Sequence, residues 1–186
     1  MIWVLIIVIV ALLAVVGLLV YRQRQSKQLR EGFGPEYDRV VAERGDQRAA
    51  EAELRERRER RRSYDIKPLR AADRDRYAER WRAAQAKFVD QPASALTDED
   101  ALLNEVMRER GYPVEDFEQQ ASDVSVDHPE VVEHYREAHA IHSGRRESTE
   151  DLRQAMVHYR ALFAELLEPR ARDNEATRPE EIEEVK

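Results

Sequence analysis

There is no cysteine in the 186-residue chain. That excludes disulfides, thiolate nucleophiles and every zinc or iron–sulfur site built on thiolates. Glycine is scarce, at six residues, and β-branched residues thin out after position 20. Both shortages favour helix over sheet. Neither G-x-G-x-x-G nor G-K-[ST] occurs, so the common phosphate-cradling loops are absent. So is the H-E-x-x-H pairing of metalloprotease helices. Between Ile2 and Val20 there is no charge and no strongly polar side chain.

That stretch, "IWVLIIVIVALLAVVGLLV", is the most distinctive thing present. Nineteen helical residues rise roughly 28 Å, close to the roughly 30 Å of a bilayer's hydrocarbon core. Trp3 and Tyr21 stand near its ends, where interfacial aromatics belong. No Lys or Arg precedes the run, and "YRQRQSKQLR" follows it in place of a small-residue cleavage site. It reads as an uncleaved anchor, not a signal peptide. The basic flank of Arg22, Arg24, Lys27 and Arg30 sets the expected orientation: N-terminus outside, remainder in the cytoplasm, at the cell membrane.

Charge is uneven along the rest. Residues 22–62 carry 13 basic and 9 acidic side chains, whereas residues 97–186 carry 11 and 24. The expected organisation is all-α: a transmembrane helix in 1–21, a charged juxtamembrane helical stalk in 22–66, a small antiparallel helical bundle in 67–168 and a disordered acidic tail in 169–186. In the stalk, Pro35 and Gly45 bracket one short helix. "DQRAAEAELRERRERRRSYD" then reads as a solvated helix with i,i+4 Glu–Arg pairs and an apolar spacing, Ala50 and Leu54, too brief for a coiled coil. "DIKPL" marks a break.

Farther on, Tyr77, Trp81, Ala84 and Phe88 form one helical stripe, and Leu152, Met156, Tyr159, Phe163 and Leu166 another. These are expected core positions. Thr97 with Asp100, Asp127 with Glu130, and Ser148 with Asp151 carry the spacing of helix N-terminal caps.

The segments "FGPEYDR", "RGYPVEDFE", "SVDHPEVVEHYR" and "TEDLRQAMVHYRALF" resemble a family of single-span, membrane-anchored helical proteins common in actinobacteria, whose activity is unassigned. The resemblance runs from about Phe33 to Leu167. It implies an anchor and a helical domain, and carries no catalytic or binding residue across.

Four of the five histidines fall in "VDHPEVVEHYREAHAIH", and His158 follows. On a helix turning about 100° per residue, His128, His139 and His142 share a face with Val131, Val132 and Tyr135, while His134 lies apart. Those three are the candidate metal ligands, with Asp127 or His158 to complete the set. The spacing fits half-buried packing histidines better than coordination, so no cofactor is expected. Ser125, Asp127 and His128 are too close in sequence to converge as a nucleophilic triad.

Arg55, Arg57, Arg58, Arg60, Arg61 and Arg62 form the basic run. Interleaved Glu56 and Glu59, the absence of stacking aromatics and an acidic pI near 5.4 argue against nucleic acid. Anionic lipid headgroups, the chain's own acidic domain or an acidic protein partner remain as contacts. Two functions follow: a membrane-anchored, cytoplasm-facing, non-enzymatic interaction module with an unidentified protein partner, or a metal-binding or catalytic helical domain built on His128, His139 and His142.

Overall fold

A computed structural model describes residues 1–144 and 148–168, without the side chains at 5, 7, 8, 10 and 11. The described residues form eight helices and no strand: α1 (Ile2–Phe33), α2 (Pro35–Arg44), α3 (Gln47–Arg62), α4 (Ala71–Lys87), α5 (Pro92–Arg110), α6 (Phe117–Asp127), α7 (Val132–Ser143) and α8 (Thr149–Leu167). The protein is all-α. The acidic tail anticipated at 169–186 lies outside the described residues.

α1 runs without interruption from the apolar stretch into the basic flank. Its described side chains up to Tyr21 are exposed, whereas Leu29 and Phe33 at its far end are buried. Among the described residues, no helix is long and apolar enough to cross a membrane. Gly34 (φ 48°) then turns the chain into α2, a backbone conformation that favours glycine.

The helix expected as a solvated stalk is packed instead. Ala50 and Leu54 of α3 join Leu29, Phe33, Tyr37 and Val40 in a small core, with Val41 and Val126 against it. A second and larger core lies among α4–α8. α5 and α8 pack together at its centre, α4 on α5 and α7 on α8. Tyr77, Trp81 and Ala84 are buried as their stripe predicts, whereas Phe88, just past the end of α4, is only half-buried. Trp81 stacks on Phe163 with ring centroids 4.2 Å apart. α6 bridges the two cores, touching both α3 and α7.

Residues 63–70, expected as a plain break, strap across the end of α5. Lys67 N–H donates to the Arg110 carbonyl at 2.8 Å, and Leu69 enters the larger core. Gly111 (φ 98°) makes this approach possible: a Cβ there would meet the Asp65 carbonyl oxygen at 2.5 Å.

Two of the three caps are misplaced in the sequence reading. α5 starts at Pro92, so Thr97 is interior and its hydroxyl donates back to the Ala93 carbonyl. Proline at the first helical position overrides the later cap signal. Asp127 ends α6 and does not open α7. Its carboxylate is spent on Tyr112 and Arg61. Ser148 caps α8 as expected, accepting from Asp151 N–H at 3.1 Å.

Candidate functional site

The buried carboxylate of Glu36, in the first turn of α2, is 2 % exposed. Five hydrogen bonds of 2.6–2.9 Å reach it from three arginines: Arg39 of α2, Arg57 of α3 and Arg136 of α7. Burial would raise its pKa. Hydrogen bonds from Arg39 and Arg136, with their charges, outweigh burial and lower it to about 2. Arg57 also bonds Glu53, and reaches Ser125 of α6 at 3.3 Å. Glu36 thus ties helices 100 residues apart in sequence to one charge.

The basic run on α3 divides by helical phase. Arg57 is buried on Glu36. Arg60 donates to Asp123 and Arg61 to Asp127, both on α6. Tyr64 adds its hydroxyl to Asp123 at 3.0 Å. Arg58 lies over the Phe33 ring and donates to the Gln28 carbonyl. Burial, then the charge of Arg62, push its pKa down. Arg55 and Arg62 alone of the six are exposed, beside Glu51 and Glu59. Arg60 and Arg61 thus make the contact with the chain's own acidic part. An open groove lies between α1 and the α2–α3 pair, lined in part by Arg22, Lys27, Arg30, Arg48 and Arg55.

The histidines do not assemble as their wheel positions suggest. His128 is not on α7 at all. It caps the C-terminus of α6, buried, with Nδ1 3.5 Å from a Glu165 oxygen. His139 stacks on Phe117 with centroids 3.5 Å apart, and burial pushes its pKa down. His142 meets the edge of Tyr159. The three contacts are separate, so the candidate ligands His128, His139 and His142 do not converge on one point. Ser125, Asp127 and His128 likewise diverge, Ser125 donating to the Ser122 carbonyl at 2.6 Å.

The histidine that the wheel set apart is the one that meets another. His134 on α7 faces His158 on α8, Nδ1 to Nδ1, at 3.0 Å. Glu137, one turn along α7, brings an oxygen to 3.6 Å from His134 Nδ1 and 3.2 Å from His158 Nδ1. Among the described residues, this is the group of three whose ligand atoms lie within 4.8 Å of one another. The i,i+3 spacing of His134 and Glu137 was a readable signal on one helix. Pairing it with His158 required the α7–α8 packing.

No protein-family model, curated protein or solved structure matches the chain.

Proposed function

We propose that this chain is a membrane-tethered, non-enzymatic helical module, held at the cell membrane by residues 2–20 with its domain on the cytoplasmic side. The observation that carries the reading is the division of α1. Its first part exposes Ile2, Trp3, Val4, Leu12, Leu13, Val15, Val16, Leu18 and Leu19. Its last turns are built into a folded core. A contiguous exposed apolar face of this kind is costly in water and matches lipid. The basic flank orients it.

At the membrane surface, the exposed cations that line the α1 groove meet anionic headgroups, each contributing about 1 kcal/mol and fading over a Debye length of roughly 8 Å. Lys27, Arg30 and Arg55 give up pairs with Glu31, Asp38 and Glu51 to do so. Arg57, Arg60 and Arg61 are occupied internally, so the proposed lipid contact shifts from the run to the groove cations Arg22, Lys27, Arg30, Arg48 and Arg55. The acidic distal part stands away from the leaflet and meets a protein partner. A reporter fused after Lys186 should be active as a cytoplasmic enzyme and silent as an external one. The chain should also stay with membranes through alkaline extraction. Release into the wash would overturn the anchor, and external activity the orientation.

A further inference from the structure

Three ligand-capable atoms on two helices converge on one point: His134 Nδ1, Glu137 Oε2 and His158 Nδ1, separated by 3.0, 3.2 and 3.6 Å. Zinc binds imidazole and carboxylate at about 2.0–2.2 Å, and tetrahedral geometry at that length places neighbouring ligand atoms about 3.3 Å apart. The three separations bracket that value. The point equidistant from all three atoms lies about 1.9 Å from each, so an ion at zinc's bond length sits slightly out of their plane, as the centre of a tetrahedron does. From the geometry we propose that these residues form a zinc-binding clip joining α7 to α8.

A hydrogen-bonded imidazole pair is the competing use of the same atoms. It accounts for one of the three contacts: a single proton can sit between the two Nδ1 atoms, and the Glu137 oxygen then faces the same proton or a lone pair. A divalent cation satisfies all three donors together and offsets the carboxylate charge. The donor set is nitrogen and oxygen of borderline softness, which suits zinc and its cobalt(II) substitute over calcium or magnesium.

The fourth position faces outward, since His134 and Glu137 are exposed and His158 is partly so. Water takes it. Neither the groove beside α1 nor the one beside Phe117 and His139 includes these residues. The role proposed for the clip is to hold two helices together. It closes the α7–α8 pair, whose connection spans the undescribed residues 145–147. This assignment stands on the α7–α8 geometry and is independent of membrane attachment.

The test is titration of the full-length chain in detergent micelles with zinc chloride, followed by calorimetry, and with cobalt(II), followed by visible absorption. The wild type should bind one zinc per chain and give the intense bands of tetrahedral cobalt. His134→Ala and His158→Ala should each weaken binding by more than roughly tenfold, as should Glu137→Gln. His139→Gln and His142→Gln should bind like wild type. Zinc should raise the thermal midpoint of the wild type and leave that of the His134→Ala/His158→Ala variant where it was. All three ligands are at least partly exposed, so the variants keep the fold, and their circular dichroism without metal should match wild type. Equal zinc affinity in wild type and the double variant would overturn the clip, as would a wild type with no saturable site.

Discussion

Glu36 and Glu99 are the same side chain, both buried, in two parts of one molecule. Glu36 sits where α2, α3 and α7 meet and takes hydrogen bonds from three arginines. Its pKa falls to about 2. Glu99 lies in the middle of α5, and among the described residues neither carboxylate oxygen has a hydrogen-bond partner. Burial pushes its pKa up to about 8. The difference is one of supply. Glu36 draws one arginine each from α2, α3 and α7 to neutralise its charge, while Glu99 sits in a larger core of aromatic and aliphatic side chains. So the first region is knit by ions and the second by apolar packing that tolerates a carboxyl only as the neutral acid.

The sharpest way to break that contrast is to delete the charge in the ionic region. Glu36→Leu removes the buried acceptor that Arg39, Arg57 and Arg136 share and should cost about 3–5 kcal/mol in urea unfolding. The same group predicts an acid limb. Its folded pKa is depressed below the ordinary 4.5, so the stability it contributes is present above pH 4.5 and is lost as pH falls through about 2. The acid limb should shrink in the pH–stability curve of the variant, leaving the part due to Glu51, Glu53 and Glu105, whose pKa values are also lowered.

Glu99 should behave with the opposite sign. Its folded pKa is raised, so the neutral acid is fully accommodated below pH 4.5, and stability declines as pH rises from there to about 8. Glu99→Gln removes the charge and keeps the shape. It should stabilise the protein by about 2–4 kcal/mol at pH 8 and above, with the gain shrinking toward zero near pH 4.5. Denaturant midpoints at three pH values would decide it. A gain independent of pH would mean that ionisation is not the cause.

Gly111→Ala tests the strap that joins the two regions. A Cβ at φ 98° would crowd the Asp65 carbonyl, and the expected loss is about 2 kcal/mol in thermal unfolding. Least consequential should be Arg62→Gln. Arg62 and Glu59 are exposed partners, and such pairs contribute about 0–1 kcal/mol. A large effect there would mean that the α3 run is held differently from its phase on the helix.

That phase explains what was legible in advance. The all-α class, the short helix from Pro35 and the stripe of Tyr77, Trp81 and Ala84 follow from local spacing and were readable. The burial of α3 was not, because its two apolar residues look too few for a core. They suffice because Leu29, Phe33, Tyr37 and Val40 arrive from other helices, and because arginine stems can lie along an interior while their heads find carboxylates. The candidate zinc ligands were half legible. His134 and Glu137 share a helix, but His134 lies off the face that Val131, Val132 and Tyr135 share, and α8 brings His158 to it there. A wheel ranks faces by apolarity, and coordination takes no account of that rank.

α1 has one more consequence. Its 32 residues form a single rod roughly 48 Å long, with no hinge between the exposed apolar part and the buried end at Leu29 and Phe33. Angle is therefore transmitted along it. Each residue inserted after Val20 turns the domain by about 100° and lifts it by about 1.5 Å. One added alanine would swing the α2–α3 face well away from its original bearing, and seven would return it to within about 20° of that bearing. The compass heading of the domain is set by a residue count, much as a key is cut to a lock.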